Sequence, residues 1–348
     1  MKKKALVLTS GAFQTLNGKT AHGLVRGTAR FEICGVIDGP ELAGQDAGTI
    51  LDGQFRGIPV YKGLKEALEC SDGVVCLIIG VATEGGILPE EIKEGLREAI
   101  LAGLSIVNGL HDYLSEQKDL VALAAATGVE LLDIRKPKLR KDLHFWTGEI
   151  FSVPCPIIAV LGMDCAVGKR TTARLLVEAC RKAGHKAEMI YTGQTGWLQG
   201  GKYGFILDST LNDFVSGELE HAIVSCWREQ QPDFIFIEGQ SALRNPSGPC
   251  GAEMILSGNA RHVVLLHSPS RKYFDDVPQW GKIPDPASEI ALLRMYGAEV
   301  IALALHTWGA SPEEAGRWQK AYQEELGLPV LLPIEQGVEG IIGQLRRL

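Results

Sequence analysis

Apolar residues in this chain fall into short runs separated by stretches with helical spacing. Runs at 5–9, 32–37, 73–79, 105–107 and 130–132 read as buried strands. Between them, 64–69, 89–102 and 113–127 read as helices. Pro89 followed by Glu90 and Glu91 suits a helix start, because proline fits the first turn and acids fit the positive end of the dipole. The alternation then repeats. Strands are predicted at 157–161, 187–191, 234–238, 262–267, 299–305 and 330–332, and helices at 169–183, 216–230, 286–296 and 312–326. Strands separated by helices of this length imply βαβ units and parallel sheets. The basic, proline-containing stretch 135–141 and the segment 145–156, with Pro154 and Pro156, mark a boundary. The expectation is an α/β chain of two doubly wound domains, 1–150 and 151–348.

Composition narrows the class. A chain of 348 residues exceeds one ordinary core, and 45% hydrophobic against 22% charged residues is the balance of a globular protein rather than a disordered one. The net charge of −7 argues against a nucleic-acid partner, and the basic stretch 135–141 reads as a solvated connector. Lys2, Lys3 and Lys4 lead into a short strand rather than a long apolar segment, so no signal peptide or membrane span is expected. The eight cysteines show no CxxC spacing and several sit in apolar runs, which points to a reducing cytoplasm without disulfides. The expected partner is a small-molecule substrate, with homo-oligomer formation left open.

The decisive segment is 157–172, IIAVLGMDCAVGKRTT. A buried strand runs into Gly162, a loop follows, then Gly168, Lys169 and a helix. This is the setting a phosphate-binding loop needs. Glycines let backbone N–H groups turn around a phosphate, and the helix N-terminus adds about half a positive charge. Lys169 is expected to reach the terminal phosphates, and a hydroxyl on the first turn to ligate Mg²⁺. Gly162, Asp164, Val167, Gly168, Lys169, Arg170, Thr171 and Thr172 are the expected nucleotide contacts. Two details depart from the usual spacing. Five residues separate Gly162 from Gly168, and Arg170 stands between Lys169 and the first threonine. The longer loop resembles that of dethiobiotin synthetases, which also carry an aspartate near the position of Asp164, and the Lys-x-Thr ending resembles adenylate kinases. Of the two threonines, Thr171 is favoured as the metal ligand.

The run 234–238 ends in Glu238 and Gly239, where a strand neighbouring the loop would present a carboxylate to Mg²⁺ or its water. With Thr171 and Asp164, Glu238 completes the expected metal set. The glycines and hydroxyls of 191–197 are read as a strand-exit loop lining a crevice. After the run 262–267, His267 is a candidate general base and Arg271 a candidate carboxylate clamp, with Arg244 an alternative clamp. In the first half, Asp38 ends the second strand, where a Rossmann domain holds its ribose, but no glycine fingerprint precedes it. Lys19, Thr20 and Arg26 are candidates for an anionic substrate group, or simply for a helix start. The exits at 80–86 and 108–111 lie in equivalent positions, so this domain is expected to hold a small ligand.

The stretch GMDCAVGKRTTA at 162–173 resembles the loop of domain-of-unknown-function family 1611, as do Lys19-Thr20-Ala21, Gly23, Leu24, Arg26 and the segment IEGQSA at 237–242. The resemblance spans nearly the whole chain. It implies a Rossmann-like N-terminal domain, a P-loop NTPase-like C-terminal domain, and transfer of an acetyl group from acetyl-CoA to the nitrogen of D-glutamate or a similar acceptor. In that case the loop grips the pyrophosphate of CoA, Arg271 or Arg244 holds a carboxylate, and Glu238 or His267 acts as base. Two other readings fit the loop: an Mg-ATP-dependent ligase or kinase on a small carboxylate, and a nucleotide-sensing protein without turnover.

Overall fold

The computed structural model describes residues 2–348, the Glu84 side chain excepted. Contacts divide the chain into two units, Met1–Pro137 with Gln194–Gly201, and Lys138–Gly193 with Lys202–Leu348.

The first unit holds β1 (Lys3–Leu8), α1 (Lys19–Val25), β2 (Phe31–Ile37), α2 (Ala47–Asp52), β3 (Val60–Tyr61), α3 (Leu64–Cys70), β4 (Cys76–Ile79), α4 (Glu90–Leu101), β5 (Ser105–Asn108), α5 (Lys118–Thr127) and β6 (Leu131–Asp133). The strands run parallel in the order β3-β2-β1-β4-β5-β6, a Rossmann-like arrangement whose strand order reverses between β1 and β4. Successive residues of β1 serve opposite faces. Leu6 and Leu8 pack in one core with Ile92, Leu96 and Ile100 of α4, while Ala5 and Val7 pack in another with Leu24 and Val25 of α1.

The second unit is a P-loop domain. It contains β7 (Ile157–Gly162), α6 (Lys169–Lys182) and β8 (Ala187–Tyr191). The chain then makes α7 (Gln194–Leu198), which packs with the first unit, and returns for β9 (Tyr203–Gly204), α8 (Asn212–Gln230), β10 (Phe234–Glu238), α9 (Ala252–Leu256), β11 (His262–His267), α10 (Pro286–Met295), β12 (Glu299–Leu305), α11 (Pro312–Leu326), β13 (Val330–Leu331) and α12 (Ile342–Leu345). The order is β13-β12-β11-β7-β10-β8-β9, again parallel, so β7 lies between β11 and β10. Ile158 and Val160 face the core formed with Ala173, Leu176 and Cys180 of α6, and Ile157, Ala159 and Leu161 face the core formed with Leu219 and Ile223 of α8. Local signals fix the later helices. Asp285 caps α10 ahead of Pro286, and Ser311 forms a reciprocal capping box with Glu314 ahead of α11.

The units part at Pro137/Lys138 rather than near 150, for a reason in α8. Glu218 and Glu220 are buried on that helix. Glu218 accepts from His144 N at 2.9 Å and from Lys138 Nζ, and Glu220 accepts from Thr147 N at 2.6 Å and Ile150 N at 3.1 Å. These carboxylates fasten 138–150 to the second unit. Among the described residues no helix is long and apolar enough to cross a membrane.

Candidate functional site

At the carboxyl end of β7 the loop turns sharply to meet α6. Gly168 sits just before the helix with φ of +92°, and Ala166 also lies in the left-handed region at +52°. A side chain on Gly162 would meet Val167 Cγ2 at 2.8 Å and the Lys169 stem at 3.0 Å, so the loop closes only on glycine there. Gly239 has the same constraint. Its β-carbon would stand 2.3 Å from Val160 O and 3.1 Å from Lys169 Cδ.

Lys169 is buried, and its Nζ donates to Asp164 O and Ser241 O, both at 2.7 Å. The ammonium is thus drawn across the mouth of the loop by carbonyls a phosphate could replace. Thr172 is buried in the first turn of α6, and Thr171 and Arg170 are half-buried.

The loop is braced from both neighbouring strand exits. Asp164 accepts from Arg271 at 2.7 Å, from Asn245 Nδ2 at 3.0 Å and from Asp275 N at 2.9 Å. Arg271 also donates to Cys165 O at 2.7 Å and pairs with Asp276 at 3.3 Å. Ser241, Asp275 and Asp276 all take positive φ, so strained backbone gathers around the loop.

This bracing corrects two expectations. Arg271 is a buried partner of the loop aspartate, not a clamp open to a substrate carboxylate. Asp164 does not fit a metal ligand. Its atoms lie within 4.8 Å of ligand atoms of Cys165 and Asp275, but a guanidinium already occupies the position a cation needs.

Glu238 ends β10 beside Val160 of β7 and is buried, accepting from Thr192 N at 3.0 Å. Burial raises its pKa, and the charges of Arg170 and Lys169 and the N–H groups of Thr192 and Gly193 pull the other way. Thr192 Oγ1 in turn donates to Glu238 O and accepts from Gln240 Nε2, at 2.7 and 3.0 Å.

His267 is not at the loop mouth. It shares a strand face with Val263 and Leu265, opposite the face that carries α6. Its Nε2 lies 3.2 Å from Tyr322 OH, and burial lowers its pKa to about 4. It is a neutral core histidine rather than a base. The histidine beside the loop is His306, whose Cδ2 is 3.7 Å from where a β-carbon on Gly168 would stand. Sequence reading missed it, along with Asn245, although both follow strand ends as the named candidates do. Arg244 is held by Glu289 at 2.6 Å and Ser288 Oγ at 2.9 Å, with 31% of its side chain exposed.

The first-unit candidates are engaged locally. Arg26 pairs with Asp52 at 3.3 Å, Lys19 begins α1, and the Thr20 hydroxyl lies 3.5 Å from that of Thr195. Asp38, at the end of β2, binds the exit loop of the neighbouring β1, accepting from Thr9 Oγ1 at 2.6 Å and from Gly11 N and Phe13 N at 3.0 Å. Of the two exits expected to line a small-ligand site, the one at 108–111 meets Gln194, whose Cγ would stand 3.0 Å from a β-carbon on Gly109. Arg135 bridges Gly109 O and Gln194 Oε1, at 2.7 and 3.0 Å.

Residues 144–342 match the family profile described as Domain of unknown function (DUF1611_C) P-loop domain, and 40–137 match the Domain of unknown function (DUF1611_N) Rossmann-like domain. The chain belongs to the DUF1611 family. Among relatives of this DUF1611 protein, a D-glutamate N-acetyltransferase of Tritonibacter scottomollicae is 30% identical over 280 residues, covering 78% of this chain and 81% of that one. A second D-glutamate N-acetyltransferase, from a Pseudoalteromonas species, is 27% identical over 83% of this chain and 88% of its own. The crystal structure of a DUF1611 family protein from Anabaena variabilis superposes with a TM-score of 0.90 at 28% identity, covering 100% of both chains.

Proposed function

We propose that this protein transfers the acetyl group of acetyl-CoA to the amine of a small amino acid of the D-glutamate type. The observation that carries the reading is the phosphate loop itself, with Lys169 drawn over its mouth by two replaceable carbonyls, in a chain 30% identical to a D-glutamate N-acetyltransferase. The loop's N–H groups and Lys169 hold the pyrophosphate of CoA without cleaving it. Glu238 takes the proton from the acceptor's ammonium, and its burial-raised pKa makes it a stronger base than an exposed carboxylate. The amine nitrogen then bonds to the thioester carbonyl carbon, the carbon–sulfur bond breaks, and the thiolate leaves and takes up a proton. Arg244 offers the acceptor's carboxylate a guanidinium oriented by Glu289 and Ser288.

The test is mass spectrometry of products with acetyl-CoA and a panel of small amino acids including D-glutamate. The expected outcome is one N-acetylated product with release of an equal amount of CoA thiol. Turnover of Mg-ATP with a small carboxylate, and no thiol release, would replace this reading with that of a ligase or kinase using Thr171 and Glu238 around Mg²⁺. Tight nucleotide binding with no product from any acceptor would favour a sensor. Calorimetric titration of acetyl-CoA against Lys169→Ala should show about 10- to 100-fold weaker binding, because one or two charge-assisted hydrogen bonds are lost. Unchanged affinity would remove the loop from the donor site.

A further inference from the structure

The turn after β12 offers a surface that the phosphate loop alone does not explain. β12 is the second neighbour of β7 and runs parallel to it, so its carboxyl end opens on the same edge of the sheet, about 10 Å away. His306, the first residue of this exit, stands beside Gly168 at the head of α6. Its N–H donates to His267 O at 2.8 Å, which fixes the start of the turn to β11. The Thr307 hydroxyl is buried against Glu335 of the exit after β13, and Ala310 N donates to Thr307 O at 2.9 Å, closing a four-residue turn with Gly309 at φ of +80°. Trp308 stands at the tip with 53% of its surface exposed. The other five tryptophans are half-buried, so this is the one presented to solvent, and it is presented from a turn anchored at both ends. Two residues of chain span at most about 7 Å, so Trp308 cannot stray far from the histidine that borders the loop.

The exposed part of the Trp308 indole is apolar surface that a flat ligand can cover, and a base offers that face. We propose that Trp308 is the base-stacking residue of the nucleotide site, covering the purine of a purine nucleoside diphosphate group whose diphosphate lies in the loop at 162–172. The inference rests on the phosphate-loop reading and adds a base subsite on the β12 side, away from Glu238. Stacking recognises the ring rather than the chain beyond it, so ADP and the adenosine end of acetyl-CoA meet the same residue.

Calorimetric titration of the full-length protein with three probes tests this: ADP, acetyl-CoA and inorganic pyrophosphate, against wild type, Trp308→Phe and Trp308→Ala. The alanine variant should bind the adenine-bearing probes about 10- to 100-fold more weakly, the range for losing one stacked base. Phenylalanine should recover most of the loss, and pyrophosphate should bind all three proteins alike. Affinities for ADP and acetyl-CoA within twofold of wild type in Trp308→Ala would overturn the proposal while leaving the phosphate loop intact. An equal loss for pyrophosphate would also overturn it, since the residue would then act by holding the loop. Failure of wild type to bind any of the three would overturn both readings.

Discussion

Burial holds the His267 imidazole neutral to about pH 4, whereas in an unfolded chain it titrates near pH 6.5. The unfolded state therefore binds more protons between those values, so stability is present above about pH 6.5 and is lost as pH falls towards 4. Over that window the site is worth about 3 kcal/mol. Chemical denaturation of wild type and His267→Gln at pH 7 and pH 4.5 should show a shallower pH slope for the variant. Parallel slopes would mean that the imidazole is protonated in the folded protein. The Asp164–Arg271 pair makes a second prediction. Arg271→Ala leaves a buried carboxylate without its cation, and breaking such a pair costs about 3–5 kcal/mol. A loss below about 1 kcal/mol in urea unfolding would show that the loop does not depend on this brace. These residues also mark what the sequence could show. Lys169 and Glu238 were legible because strand, glycine and charged residue are contiguous. The partner of Asp164 was not, because Arg271 lies 107 residues away. The burial of His267 could have been read from the alternation Val263, Leu265, His267, which sets it on the inward face.

Among the elements, α8 carries two acids that look like surface residues and are buried. They assign 138–150 to the second unit, and nothing local in the sequence announces that Glu218 and Glu220 will cap backbone 74 and 70 residues upstream. Glu220→Ala should orphan the N–H groups of Thr147 and Ile150 and cost about 2–4 kcal/mol. Limited proteolysis should then cut within 138–153 before the rest of the chain, and wild-type resistance there would refute the clamp. Helix α7 carries no helical signal in the sequence, which reads there as a strand-exit loop. Its stretch holds two glycines and two threonines within 192–196, all poor helix formers. It is helical because Leu198 and Trp197 pack beside Leu24 and Val107, a tertiary contact that overrides propensity. The long amphipathic helices and fully apolar strands had no such competitor, and the pattern located them. The two-residue strands β3 and β9 were too short to leave one.

At the scale of the whole molecule, the chain order does not equal the unit order. The first unit is completed only by residues made after the phosphate loop. Thr28 Oγ1 donates to Leu198 O at 2.7 Å, Ala29 N to Gln199 O at 2.9 Å, and the Arg30 guanidinium stacks 3.9 Å from the Trp197 ring while its Nε donates to Trp197 O at 2.8 Å. Leu198 is fully buried in that core. A fragment ending at Pro137 therefore lacks part of its own interior. Removing one buried leucine side chain costs about 2–5 kcal/mol, and here the tryptophan and the backbone bonds go with it. Residues 1–137 alone should bind a hydrophobic dye and unfold without a sharp transition. The same fragment carrying 194–201 on a flexible glycine–serine linker should regain a cooperative melt, and Arg30→Ala in that fusion should lower it again. An identical sharp transition with and without the added segment would show that the Rossmann-like unit folds independently of it.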